Sequence, residues 1–540
     1  MNRARQRSWH TAALATALLL WSNFAHGQDV DRLLPDREVP PASQVELPGG
    51  DPLPQESGDD EQLIENLRGV DLEGEITVPR ADELRHSLQA RVGQPLTTAG
   101  LLALLDQVVE HYEAQGFPVV DVLVPEQEIT DGRVLLEVVE GTVGDVALAG
   151  GERLNAERIA RQVRLITGER LKISDLQHEL DWLNRNPFHD ARLVVSPGDE
   201  AAEADLLFQL SDDRPWRVFG GFENSGVDSV GEERFYGGFE WGNAFGIGHR
   251  LTYQATLGTD IESFRGHALD YRIPFDWQHE LDLLGAIVNS ETTLEDGTVT
   301  GGTSWVVGGH YIVPLQRRGD LRQELSAGFE FKSTDNNLEF GGTRVFDSAA
   351  ELAQFVGRYR AALDKESFRT AIFGEAVYSP GDFIGANSDE DLQGIRADAV
   401  AQYSYLRAQL SHAQRLPANL SLVVRAGAQW SDAPLLPSEM LALGGYDRVR
   451  GYEEREGLGD KGYWGSMELR VPVIESHLQV LAFLDYGYSE LDSGAADSEF
   501  VAAGPGVRYR LNEHASLRFD YGWQLDGGGS RGHIGVQVEF

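Results

Sequence analysis

Beyond Pro215 the chain alternates. In 419–429, Leu420, Leu422, Val424, Ala426 and Ala428 take every second place, with Asn419, Ser421, Arg425, Gly427 and Gln429 among the residues between them. The same period runs through 515–523 (Ala515, Leu517, Phe519, Tyr521, Trp523) and 534–540 (Ile534, Val536, Val538, Phe540). A period of two with one apolar face and one small or charged face fits a strand between lipid and water. About sixteen such segments of roughly ten residues fit between Trp216 and Phe540, a common size for a membrane β-barrel. Short connections at 416–418, 472–477 and 511–514 contrast with long ones at 333–354, 380–396 and 430–462. Short inner turns and long outer loops are the habit of outer-membrane barrels, whereas soluble sandwiches do not alternate loops this regularly. Trp241, Trp305, Tyr463 and Trp523 lie near segment ends, where an interfacial girdle belongs.

The rest of the chain agrees with export. Arg3, Arg5 and Arg7, an apolar run at 11–21 and Ala25-His26-Gly27 form a secretory signal peptide at 1–27. No other apolar run approaches the ~18 residues a spanning helix needs. The absence of Cys removes lipidation of the N-terminus, disulfides and thiolate metal sites. A net charge of −40 disfavours nucleic acid as a partner. The 14 His show no ligand spacing, so neither metal nor cofactor is expected.

Residues 28–62 are rich in Pro and acidic residues and read as a linker. Two similar β-α-α-β-β units follow, at 63–141 and 142–212. The first reads strand 73–78, helices 81–91 and 98–115, and strands 119–124 and 133–139. The second reads strand 143–148, helices 155–165 and 174–184, and strands 191–196 and 204–210. Gly93, Leu96, Leu101, Leu105 and Val108 fall opposite Gly168, Leu171, Leu176, Leu180 and Leu183 at a constant offset, the mark of an internal repeat. Leu101, Leu105 and Val108 form the expected buried stripe, with Thr98 and Ser174 as N-caps. The fold expected is two α+β units followed by a sixteen-stranded antiparallel barrel at 213–540.

Within the barrel, 430–462 is long enough to fold inward. Half of it reaches roughly 50 Å, more than the ~25 Å apolar band. On 479–489, Val480, Ala482, Leu484, Tyr486 and Tyr488 face lipid, which turns Phe483 and Asp485 into the lumen. Arg450 at the loop tip then offers Asp485 a bidentate fork, with Gly451 permitting the tight turn. Lumen-facing Glu468 and Arg470 are candidates to extend the pair.

These residues carry a resemblance. Val449-Arg450-Gly451-Tyr452 resembles the VRGY motif of the superfamily that includes BamA and the two-partner secretion transporters. Phe483-Leu484-Asp485 resembles its F-x-D motif, and the repeated units resemble polypeptide-transport-associated (POTRA) domains. Two such units before about sixteen strands is the arrangement of the TpsB (ShlB/FhaC/HecB) family. Leu183-Asn184-Arg185-Asn186-Pro187-Phe188 with Ser196-Pro197-Gly198 is similar to the end of that family's second unit. The resemblance covers about 65–540 and implies an outer-membrane protein that exports an unfolded exoprotein without ATP. It also implies periplasmic N-terminal units, the outer-membrane bilayer as solvent, and a monomer. Phe540 resembles the C-terminal signal read by the barrel assembly machinery, which with periplasmic chaperones is expected to act during biogenesis. The alternatives are a BamA/TamA-like assembly factor and, from a different class, a passive porin.

An enzyme is not expected. Gly528-Gly529-Ser530-Arg531-Gly532 fits G-x-S-x-G but lies between two alternating segments, not at a strand-to-helix elbow. His178 and His189 near the end of the second unit read as surface or cap residues.

Overall fold

The computed structural model describes residues 45–46, 61–211, 214–293, 299–340, 343–474, 477–492 and 497–540. The expected signal peptide and most of the linker lie outside them. Two compact units emerge, Val39–Arg214 and Pro215–Phe540.

The N-terminal unit contains β1 (Val45–Glu46), β2 (Gln62–Ile64), β3 (Gly69–Glu73), α1 (Ala81–Leu88), β4 (Leu96–Thr97), α2 (Thr98–Ala114), β5 (Val120–Leu123) and β6 (Arg133–Glu140). It continues with β7 (Thr142–Gly150), α3 (Ala156–Gln162), α4 (Ile173–Leu183), β8 (Ala191–Pro197) and β9 (Glu203–Leu210). Three sheets result, in the orders β3-β6-β5, β1-β8-β9-β7 and β2-β4. The first strand lies at Gly69–Glu73 and not at 73–78, because Gly74 turns the backbone with φ 120° at its end. The face of α2 that is fully buried is Leu104, Val108 and Tyr112; Leu101 and Leu105 flank it, half-buried. The cap of α2 is Thr97, whose side chain accepts from the Gly100 N–H at 3.1 Å, one residue before the expected Thr98. Ser174 lies inside α4 and does not cap it. In α4 the leucines fall as expected, with Leu176, Leu180 and Leu183 in the second core.

The matched glycines of the repeat serve one backbone need. Gly93 and Gly168 have φ of 89° and 85°, and a Cβ at either would meet nothing within 4 Å. Space is free, so the requirement is left-handed backbone alone. Gly93→Ala and Gly168→Ala are each expected to lower the stability of the N-terminal unit by about 1–2 kcal/mol, read in urea unfolding. Equal stability of variant and parent would refute the conformational reading.

The second unit is a closed antiparallel barrel of sixteen strands. In chain order they are β10 (Trp216–Glu223), β11 (Arg234–Ala244), β12 (His249–Gly258), β13 (Phe264–Pro274), β14 (Glu280–Thr293), β15 (Val299–Arg318), β16 (Leu321–Phe340), β17 (Thr343–Asp364) and β18 (Phe368–Pro380). A short helix, α5 (Asp389–Gln393), precedes β19 (Gln402–Arg415) and β20 (Ser421–Ser431). Two short strands that form no part of the barrel wall, β21 (Leu441–Leu443) and β22 (Gly457–Gly459), precede β23 (Lys461–Ile474), β24 (Leu478–Glu490), β25 (Ser498–Asn512), β26 (Ala515–Gln524) and β27 (Ser530–Glu539). Phe239, Leu406, Trp430, Met467, Leu484 and Trp523 are exposed on the outside, while Glu240, Arg358, Glu375, Glu468 and Asp485 are buried within. That partition is the two-residue period made solid.

The expected long loop at 333–354 is not a loop. β16 and β17 run through it for 20 and 22 residues, about twice the ~9–11 that cross a bilayer. Outside lipid, backbone pairing no longer requires apolar alternation, so the pattern that marks a membrane strand fades there. The cylinder closes where β27 pairs with β10. Phe540 completes that seam: its N–H donates to the Val218 carbonyl at 2.9 Å, and its carbonyl accepts from Val218 at 3.0 Å.

Candidate functional site at the folded-in loop

Residues 432–460 leave the rim between β20 and β23 and turn into the lumen. β21 and β22 pair to form a narrow stalk, and left-handed Gly444 and Gly445 (φ 93° and 90°) bend the chain beyond it. Val449 is fully buried with Leu441, Leu443, Tyr452, Phe500 and Ala502. Apolar contact thus holds the tip alongside its charged contacts.

Arg450 is 1 % exposed. Its Nε and Nη2 donate to the two carboxylate oxygens of Asp485, each at 2.8 Å, and its backbone N–H donates to Oδ2 at 3.0 Å. Nη1 donates to Glu468 Oε1 at 2.6 Å, and Nη2 also reaches Ser466 Oγ at 3.0 Å. The guanidinium carbon lies 3.6 Å from the centroid of the Phe483 ring. Planar, multidentate and stacked, this is a place where Lys would not substitute. Gly451 (φ 91°) donates its N–H to His533 Nε2 at 3.1 Å and accepts from Gln524 Nε2 at 2.8 Å. Tyr452 donates to the Val501 carbonyl at 3.0 Å, bonds Asp526, and packs edge-on against Phe500.

Around the tip the charges nearly cancel. The guanidinium groups of Arg425, Arg450, Arg470, Arg508 and Arg518 face the carboxylates of Asp447, Glu468, Asp485 and Asp520. Glu468 accepts from Arg470 Nε at 2.9 Å, which joins both predicted network residues to Arg450. Such a cluster is costly to desolvate, and its stability depends on every member having a partner.

The structure therefore brings Val449, Arg450, Gly451, Tyr452, Phe483, Asp485, Glu468 and Arg470 together and leaves Phe540 at the seam. Sequence reasoning missed Ser466, Asp520, Gly522, Gln524 and His533. Asp520 and Gly522 were legible as inward positions on β26, but nothing in a linear pattern says that the loop tip crosses to that wall. Ser530 begins β27, its hydroxyl 2.8 Å from the Tyr521 hydroxyl, with no helix after it. His189 donates from Nδ1 to the Leu183 carbonyl at 3.0 Å, a C-terminal cap on α4; burial holds its pKa below the ordinary value.

A sixteen-stranded cylinder, an outer loop pinned inside it by buried charge, and two small α+β units ahead of it define a class: outer-membrane barrels that handle polypeptides. The chain belongs to the haemolysin secretion/activation protein ShlB/FhaC/HecB family, whose model matches residues 203–509, and a ShlB-type POTRA domain matches residues 66–141. It is similar to the heme/hemopexin transporter protein HuxB of Haemophilus influenzae (23 % identical over 421 residues; 76 % of this chain, 73 % of the relative). It is also similar to the outer membrane transporter CdiB of Escherichia coli (24 % over 426 residues; 74 % and 69 %) and the hemolysin transporter protein ShlB of Serratia marcescens (22 % over 449 residues; 81 % and 77 %). The solved structure of CdiB from Escherichia coli shares the fold with a TM-score of 0.77 at 20 % identity, over 95 % of this chain and 96 % of that one. CdiB from Acinetobacter baumannii shares it at 0.70 and 14 % identity, over 98 % and 99 %. The protein is an outer-membrane β-barrel transporter with periplasmic POTRA units.

Proposed function

We propose that this chain exports one unfolded exoprotein from periplasm to cell surface in two-partner secretion, without ATP and without catalytic chemistry of its own. The observation that carries this is the loop of 432–460, which reaches from the β16–β19 wall to the β23–β27 wall and is joined to both largely by side-chain contacts. A passive porin would need a standing aqueous path, and the loop lies across it.

Capture begins in the periplasm. In the first sheet β5 is an edge strand beside α2, and Leu123 at its end and Val124 just after it are exposed. An unpaired edge with apolar side chains accepts an extended peptide as an added strand, a mode that needs only backbone pairing. The exoprotein then threads past the displaced loop and folds outside, which supplies direction. In this reading residues 1–27 direct export, 28–62 link, 63–141 and 142–212 capture, and 213–540 conduct. The chain acts as a monomer, and Phe540 serves the assembly machinery and chaperones during biogenesis.

Deleting the gene tests the proposal. One large protein should be lost from the surface and accumulate or be degraded in the periplasm, restored by the wild-type gene. An unchanged surface proteome would overturn it.

A further inference from the structure

A second group of buried charges holds the same loop from another part of the wall. Glu439, on the descending arm of the loop, is 1 % exposed. Lys332 Nζ of β16 lies 3.3 and 3.2 Å from its two carboxylate oxygens. Gln354 of β17 donates to Oε2 at 3.0 Å, and the Tyr405 hydroxyl of β19 donates to the same oxygen at 2.8 Å. The Glu439 carbonyl accepts from Arg407 Nη2 at 2.7 Å and Gln429 Nε2 at 3.0 Å. One loop residue is thus tied to β16, β17, β19 and β20.

The wall behind it is an ion network in its own right. Lys332 also meets Glu330 at 3.2 Å, Arg358 bridges Glu330 (2.6 Å) and Glu375 (2.8 Å), and Arg407 reaches Glu375 at 3.3 Å. Lys332, Arg358 and Arg407 balance Glu330, Glu375 and Glu439. Once Glu439 leaves with the loop, the wall holds one uncompensated cation. No residue is common to this network and the ion pairs of Arg450, which are made to Glu468 of β23, Asp485 of β24 and Asp520 of β26.

We propose that Glu439 is a second latch, engaged with the β16–β19 wall independently of Arg450, and that the loop leaves the lumen only when both release. Glu439 is a positioning residue: it lies on the loop and not on a strand of the cylinder, and when it goes Lys332 keeps Glu330, Gln354 keeps Tyr403 and Arg407 keeps Glu375. The inference rests on the export reading only for the reason the loop must move.

The chain contains no Cys, so one introduced thiol is a unique reporter. Met440→Cys places it beside the latch, where Met440 packs against Leu435, Leu436 and Tyr403. In intact cells, a membrane-impermeant maleimide should label this thiol slowly while Glu439 is present. Glu439→Gln and Lys332→Met, each with Arg450 intact, should speed labelling about tenfold, as expected when a buried pair loses one member. The two changes together should do no more than the larger single effect, because they remove one interaction. Retained heat-modifiable mobility shows the barrel is folded in each variant. Unchanged labelling in both single variants, with rapid labelling in Arg450→Ala, would overturn the second latch. Because labelling is read without exoprotein, that outcome leaves the export reading standing.

Discussion

Replacing Arg450 with Ala should convert a plugged cylinder into one that opens frequently in planar bilayers, and should cut export at least tenfold at normal barrel levels, a scale set by the energy of a buried ion pair. Among the described residues Arg450 alone pairs with Asp485, through three hydrogen bonds. Glu468 keeps Arg425, Arg470 and Arg508 when Arg450 is gone, so Asp485 is the orphan. Stranding a buried carboxylate costs about 3–5 kcal/mol, enough to drive the tip out of its seat. Arg450→Lys restores the charge but neither the fork nor the stacking on Phe483, and should lie between wild type and Ala. Ordinary conductance and full export in the Ala variant would remove the loop from the transport mechanism.

Gly522→Ala should give the same opening with no charge changed. A Cβ there would stand 2.6 Å from the Gly451 nitrogen and 2.8 Å from the Arg450 carbonyl carbon. Both neighbours are backbone, so the tip must move as a body. Overpacking of this kind costs about 1–3 kcal/mol. If Arg450 acted only as a fixed charge lining the pore, the alanine would leave conductance untouched; a plugged channel in that variant therefore argues against seating of the tip as the controlling event.

How far the sequence carried this picture depends on distance along the chain. The lipid-facing sets on β24 and β26 and the helical leucines of α4 are local patterns, and they survive intact. Arg450 and Asp485 could be paired because the two-residue period turns Asp485 inward and the loop is long enough to bring Arg450 to it. The crossing of the tip to Gly522 and His533 is a matter of three-dimensional register, which no period encodes. Glu439 illustrates the same limit: it reads as one acidic residue in a polar loop, and only the cylinder brings Lys332, Gln354 and Tyr405 to it. Strand ends failed for another reason. At Gly74 a turn took precedence over the apolar run after it, and in β16 and β17 pairing outlived the lipid that makes strands visible.

The hydrogen bonds between Val218 and Phe540 bear on how the molecule is made. The adjacent Arg217 and Glu539 also meet across 322 positions of sequence, so the cylinder cannot shut until β27 has been made. Until then the growing sheet has two bare margins, each able to join a stranger. The β10–β27 pairing thus removes the two margins at which a partly assembled sheet is most open to mispairing.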